Sequence, residues 1–194
     1  MRFDSWITVF RSLGLLILGN LLACLVLAQT SGNYPNKTIS LVVTYPPGGG
    51  ADAMARLIAP KMSEVLGQSV VVENKPGAGG QIGAAAVAKA APDGYTLMLD
   101  ASSFAVNPSL YPKLAYDPMR DFKPVGMVAL FPNVVLVNAQ FPVQNTTDLI
   151  LFAKKEKNSV AYASSGNGSA QHLAGALFES ITGVDMVHVP YKGA

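Results

Sequence analysis

Residues 39–52 read ISLVVTYPPGGGAD, and the fold turns on how that stretch is parsed. The first seven letters are β-prone and nearly free of polar positions, as in a parallel strand covered on both faces. Pro46, Pro47 and Gly48 to Gly50 stop the strand. From Ala51 onward Met54, Leu57, Ile58, Met62, Val65 and Leu66 recur at helical spacing, and Gly67 supplies the stop. This is one βα unit. The pattern repeats: residues 69–73 (SVVVE) form a strand, residues 74–80 (NKPGAGG) a loop, and residues 81–91 an alanine-rich helix closed by Pro92, Asp93 and Gly94. A third strand, residues 95–100 (YTLMLD), opens into Ala101, Ser102 and Ser103. Strands alternating with helices at this spacing predict an α/β fold with a right-handed parallel sheet.

Residues 107–124 are rich in Pro, Tyr and Asp and exceed the usual βα connection, which marks a boundary between lobes and a hinge candidate. Residues 125–130 and 134–138 read as two strands around Phe131, Pro132 and Asn133, the expected crossing point and a second hinge candidate. A helix is expected over 146–157 with Thr146 as N-cap, then a strand over 159–163. Residues 164–169 (SSGNGS) open a helix whose Leu173, Ala176, Leu177 and Ile181 share one face, and Gly183 ends it. Residues 185–189 (DMVHV) form the next strand, with an unpaired edge. The expected division is a first lobe over 34–130 and a partial second lobe over 131–194.

The 194-residue chain is 50% hydrophobic and 13% charged, with 18 Gly and 13 Pro, which excludes a solvated disordered chain. Part of the apolar excess is local. Arg2 and Arg11 precede an apolar run over 13–27 that ends before Ala28, the pattern of a signal peptide over residues 1–28 cleaved after Ala28. Two alternatives stand beside it: a retained anchor, for which the run is short and interrupted by Asn20, and a lipobox at Leu21 to Cys24 that would leave the chain lipid-anchored through Cys24. Losing the leader removes two basic residues and one acidic residue, so the net charge falls from +2 to +1. Scattered basic residues, with one solvated cluster at Lys154, Lys155 and Lys157, give no nucleic-acid surface. Cys24 is the sole cysteine, so the rest of the chain has neither a disulfide nor a thiol nucleophile.

Ligands of parallel α/β sheets sit at the carboxyl ends of the strands, where these loops fall. Glycine loops feeding helices present unpaired N–H groups and the positive end of a helix dipole, an anion site without a basic side chain. The loops at Gly48 to Gly50, Gly77 to Gly80 and Ser164 to Ser169 are expected to face one cleft, with Ser102, Ser103, Ser164, Ser165 and Ser169 as hydroxyl donors. That chemistry suits a small carboxylated ligand. Asp52 has two readings, a helix-start carboxylate favoured by the dipole or a receiver for a ligand ammonium or hydroxyl. Tyr45, Phe104 and Tyr191 are candidate apolar walls, His172 a candidate cleft residue, and His188 half-buried packing.

Competing chemistries leave weaker marks. Residues 48–53 fit G-x-G-x-x-A after a strand, with Glu73 where a ribose-binding acid would stand, so a dinucleotide-binding oxidoreductase is the alternative reading. Pro46 and Pro47 stiffen the turn that such a site needs tight. No P-loop, no G-x-S-x-G elbow and no paired-histidine metal spacing occurs, so neither a catalytic residue nor a metal nor a cofactor is expected. A non-functional truncated remnant is the third reading.

Five segments carry a family resemblance: 34–56 (YPNKTISLVVTYPPGGGADAMAR), 70–99 (VVVENKPGAGGQIGAAAVAKAAPDGYTLML), 116–129 (YDPMRDFKPVGMVA), 162–175 (YASSGNGSAQHLAG) and 189–193 (VPYKG). Together they resemble the Bug-type periplasmic receptors of tripartite tricarboxylate transporters. The resemblance implies a two-lobed periplasmic binding protein fold, no enzymatic activity, capture of a small carboxylate or related metabolite, and delivery to a membrane permease. Carried onto this chain, it implies ligand-binding roles for Tyr45, Pro47, Gly48, Gly49 and Asp52 in the first cleft loop, with Ser102 and Asn107 beside it. On the second lobe it implies Ser164, Ser165, Gly166, Ser169 and His172, then Tyr191, Lys192 and Gly193. Members of that family continue past position 194, so the second lobe is expected to be incomplete and isolated binding weak.

Overall fold

Ile39, Leu41, Val42 and Val43 become the most thoroughly buried strand of the protein, β1 (Ile39–Val43), because neighbours flank it on both sides. In the computed structural model, which describes residues 34–155, 157 and 159–191, β1 pairs in parallel with β2 (Val70–Asn74) and β3 (Thr96–Leu99), giving the order β2-β1-β3. Ile39 stands opposite Val70 and Val43 opposite Asn74, while Ser40 faces Thr96 and Val43 faces Leu99. Helix α1 (Gly50–Leu66) returns from β1 to β2 and lays Ala55 and Ala59 on Ile39, Leu41, Val43 and Val70. Gly67, left-handed at φ 66°, closes it with its N–H on the Ser63 carbonyl, the cap expected of glycine there. A short 3₁₀ turn (Ala78–Gly80) leads into α2 (Gln81–Ala88). There Gly83 lies so near the end of β1 that an added Cβ would stand 2.8 Å from the Lys75 carbonyl oxygen and 2.9 Å from Thr44 Cγ2.

The second sheet is smaller. β4 (Ala161–Ser164) and β5 (Val187–Pro190) pair in parallel, Ala161 opposite Val187 and Ser164 opposite Pro190, with α5 (Ala170–Thr182) as the crossover. Both sheets belong to one compact unit, residues 38–194; residues 34–37 fall in the N-terminal unit. The leader at 1–28, Cys24, and the ends of the chain from Lys192 lie outside the described residues.

Three expectations need correction. Residues 125–130 and 134–138 form no strand: a β-prone run becomes a strand only where a partner takes its backbone groups, and no described strand pairs with this one. Its side chains are correspondingly bare, with Val125, Leu130 and Leu136 more than four-fifths exposed. Second, the serines after β3 do not run straight into a loop; Ser103–Leu110 is a helix, α3, carrying Pro108 in its last turn, where its ring ends rather than prevents the helix. Third, α4 (Thr146–Lys155) is capped by Asn145, not Thr146. The Asn145 Oδ1 accepts the Asp148 N–H at 2.9 Å, and Asp148 in turn accepts the Gln144 N–H at 3.1 Å.

Candidate ligand cavity at the carboxyl ends of the strands

A cavity of about 570 Å³, half open to solvent, lies where the strands of both sheets end. The end of β1 supplies Thr44 and Tyr45, the loop after β2 supplies Pro76 through Gly80, and the start of α3 supplies Ser103. From the second sheet come Ser165, Gly166, Asn167 and Ser169 after β4, and Pro190 and Tyr191 at the end of β5. Its size suits a small metabolite, and every side chain of that wall is uncharged. The polar groups this wall presents are hydroxyls, an amide and backbone groups.

The β2–α2 loop owes its shape to glycine. Gly77, Gly79 and Gly80 all have positive φ, and Ala78 between them sits at φ 49°, so four successive residues adopt backbone that side chains disfavour. Asn107 holds this loop from behind by donating from Nδ2 to the Gly79 carbonyl at 2.9 Å. Asn107 is buried and does not line the cavity; it fixes the loop that does.

A buried network backs the β1 side. Asp100, at the end of β3, accepts from the Thr44 hydroxyl, from Ser103 Oγ at 2.9 Å and from the Phe104 N–H at 2.9 Å. Tyr45 then donates its hydroxyl to Ser103 Oγ at 2.9 Å. Burial pushes the Asp100 carboxyl above its ordinary value, against the pull of these donors. Burial, and after it the charge on Asp100, raise the Tyr45 phenol as well. Asp100 is not among the residues expected at the site, because a single acid at a strand end has no local mark; its role comes from accepting the Thr44 hydroxyl 56 residues away as well as Ser103 and Phe104 close by.

The first glycine loop departs from expectation. The Gly48 N–H is taken by Asp52 Oδ2 at 2.9 Å, and the same oxygen accepts from Arg56 Nε at 2.9 Å while Oδ1 accepts from Asn74 Nδ2 at 2.9 Å. The Arg56 hydrogen bond, the Gly48 N–H and Asn74 hold the Asp52 carboxyl well below the usual carboxylate range. Asp52 therefore ties α1 to β2, and it is not among the residues that line the cavity. Pro47, Gly48 and Gly49 lie off the cavity wall, as does Ser102. Glu73 pairs with Lys75 at 3.0 Å rather than standing open for a ribose.

On the second sheet the expected residues divide. Ser165, Gly166 and Ser169 line the cavity together with Tyr191, and Tyr45 joins them across it. Ser164 is buried behind, 2.6 Å from His188 Nε2 through its Oγ, which also accepts the Gly166 N–H at 3.1 Å. His172 stacks on His188 with ring centres 4.1 Å apart and accepts the Gly168 N–H on Nδ1 at 3.0 Å. Neither Ser164 nor His172 is among the residues that line this cavity. Burial, then His172, lower the His188 pKa, and Glu179 opposes them. Ser169 caps α5 by accepting the His172 N–H at 3.3 Å. Lys192 and Gly193 lie outside the described residues. Thr44, Tyr111, Asn167 and Pro190 line the cavity without having been singled out, because nothing in their local sequence separates a cavity wall from a loop.

Residues 54–194 match the tripartite tricarboxylate transporter family receptor. Protein BugT of Bordetella pertussis is 42% identical over 167 residues, which are 85% of this chain and 51% of that protein. Among solved structures, R. palustris Rpa4515 with adipate is 40% identical at a TM-score of 0.78, over 83% of this chain and 54% of that one. MatC (Rpa3494) from Rhodopseudomonas palustris, with bound malate, is 35% identical at a TM-score of 0.72, over 82% of this chain and 55% of that one. The chain thus spans about half the length of the relatives it matches.

Proposed function

This chain belongs to the tripartite tricarboxylate transporter receptor family, and we propose that it is an exported, non-enzymatic solute-binding receptor that captures a small carboxylated metabolite for a membrane permease. One observation carries the reading: an uncharged cavity, built from the carboxyl ends of β1, β4 and β5 and the glycine turn after β2, in a fold shared with proteins that hold adipate or malate. Residues 34–130 and 131–194 serve as its first lobe and as part of a second, and residues 1–28 as the signal peptide that directs it to the periplasm. The family consists of solute-binding receptors.

Thermal denaturation with added solute tests this. A ligand that binds only the native state stabilises it by about 2.7 kcal/mol at a hundredfold excess over its dissociation constant. Adipate, succinate or malate is expected to raise the melting temperature in proportion to the logarithm of its concentration, while NAD leaves it unchanged. No response to any carboxylate would sink the receptor reading.

A further inference from the structure

Thr44, Tyr45 and Ser103, three of the hydroxyls that line the cavity, all point their protons away from it. An ionised carboxylate only accepts, so Asp100 obliges Thr44 and Ser103 to donate to it. Ser103 has a single proton, already committed, so its 2.9 Å contact with Tyr45 places the tyrosine proton on Ser103. What Thr44, Tyr45 and Ser103 offer the cavity is therefore lone pairs. The opposite wall is mixed: Ser165 commits its proton to Gln171 Oε1 at 2.9 Å and offers lone pairs too, whereas Ser169 differs. Ser169 Oγ accepts the His172 N–H, which leaves its own proton to donate, and the Asn167 side chain brings an amide.

A carboxylate laid against Thr44, Tyr45 and Ser103 meets acceptors with Asp100 behind them; laid against Ser169 and Asn167, it meets donors. We propose that the cavity selects a carboxylate that also carries a hydrogen-bond donor, a hydroxyl or an ammonium, with the carboxylate on the Ser169 side and the donor against Tyr45 and Ser103. Asp100 touches no ligand; it is a positioning residue that sets the direction of three hydroxyls. The proposal rests on the receptor reading and adds the class of solute.

Succinate, malate and aspartate share a four-carbon diacid chain and differ in whether they carry nothing, a hydroxyl or an ammonium, which makes them suitable probes for calorimetry on the purified chain. Malate and aspartate are expected to bind about tenfold or more tighter than succinate, because a site built around a donor leaves its acceptors unpaired when the donor is missing. Ser103→Ala cuts the relay and frees the Tyr45 proton to turn into the cavity, so the ratio of malate to succinate affinity falls toward one. Tyr45→Phe is expected to weaken malate more than succinate, lowering the ratio of their affinities. Asp100→Asn acts as Ser103→Ala does, and should it fail to fold, Ser103→Ala, which removes one oxygen, carries the same test, with circular dichroism melts confirming the fold. If succinate binds as well as malate, or if the ratio survives Ser103→Ala, the inference is overturned while the receptor reading stands. If none of the three diacids nor adipate binds, the receptor reading falls and takes this inference with it.

Discussion

The two sheets of this chain are made from the same unit, a parallel strand, a glycine-bearing loop and a helix, yet they bury themselves very differently. β1 lies between two partners and under α1, and Ile39 and Val43 have no exposed surface at all. β4 and β5 have only each other, and α5 contains no buried residue although Leu173, Leu177 and Ile181 share its apolar face. A parallel pair has two faces and two edges to cover, and two strands with one crossover helix cannot cover them. The cavity draws on both sheets, so one wall is rigid by packing and the other is held by local hydrogen bonds: Ser164 with His188, His172 with Gly168, and Ser169 with the start of α5.

The largest expected effect lies in the first sheet. Ile39→Ala removes a fully buried side chain between Val70 and the Ala55 and Ala59 face of α1, and is expected to cost about 2–5 kcal/mol in urea denaturation. A loss below about 1 kcal/mol would break the contrast between the sheets. Gly83→Ala comes next: its new Cβ meets the Lys75 carbonyl, which is backbone and cannot swing aside, so about 1–3 kcal/mol is expected. Gly175→Ala in α5 is its counterpart. There the Cβ would stand 2.3 Å from the Tyr162 ring, which is a side chain and can tilt away at the expense of its stack on His188. It should lose less stability than Gly83→Ala and shift the His188 ring resonances more.

The same asymmetry governs what was legible in the letters. The βα rhythm of residues 39–99 could be read because each strand there finds its partners within the same stretch, so local pattern and tertiary structure agree. Residues 125–138 have equally β-prone letters and no described partner, and pairing is not a local property. For the site, strand ends and the Ser164 to Ser169 loop were legible from the glycines. Which side chains face the cavity was not: Asp52 in the first turn of α1 and Asn107 in α3 lie beside the right loops, but each is turned to a partner 22 or 28 residues away in sequence, Asn74 and Gly79.

Acid should find the two regions at different pH. His188 is depressed below its ordinary value by burial and by His172, so the native state resists protonation that the unfolded chain accepts near pH 6.5; stability is full above that and falls as the pH drops below it. Asp52 is depressed in the carboxylate range, so its contribution is present above about pH 4 and is lost as the pH falls further, through its folded value. His188 and Tyr162 signals in proton NMR are therefore expected to change first, as the pH falls below about 6.5, with global unfolding following only in the carboxylate range. His188→Gln should remove the first step and leave the second; loss of both steps together would mean that the two sheets unfold as one. Asp52→Asn should move the second step alone.

The smallest effect is the sharpest check on the second sheet. Leu177 sits on the apolar face of α5 and is 59% exposed, where burial would have been expected from its helical spacing with Leu173 and Ile181. If that face meets only water, Leu177→Ala removes little transfer free energy and gains slightly in helix propensity, so the change should stay within about 0.5 kcal/mol. A loss of about 2 kcal/mol or more, in the range of buried leucines, would mean that something covers α5 in solution, and the wall carrying Ser165, Gly166 and Ser169 would then be braced by more than its own hydrogen bonds.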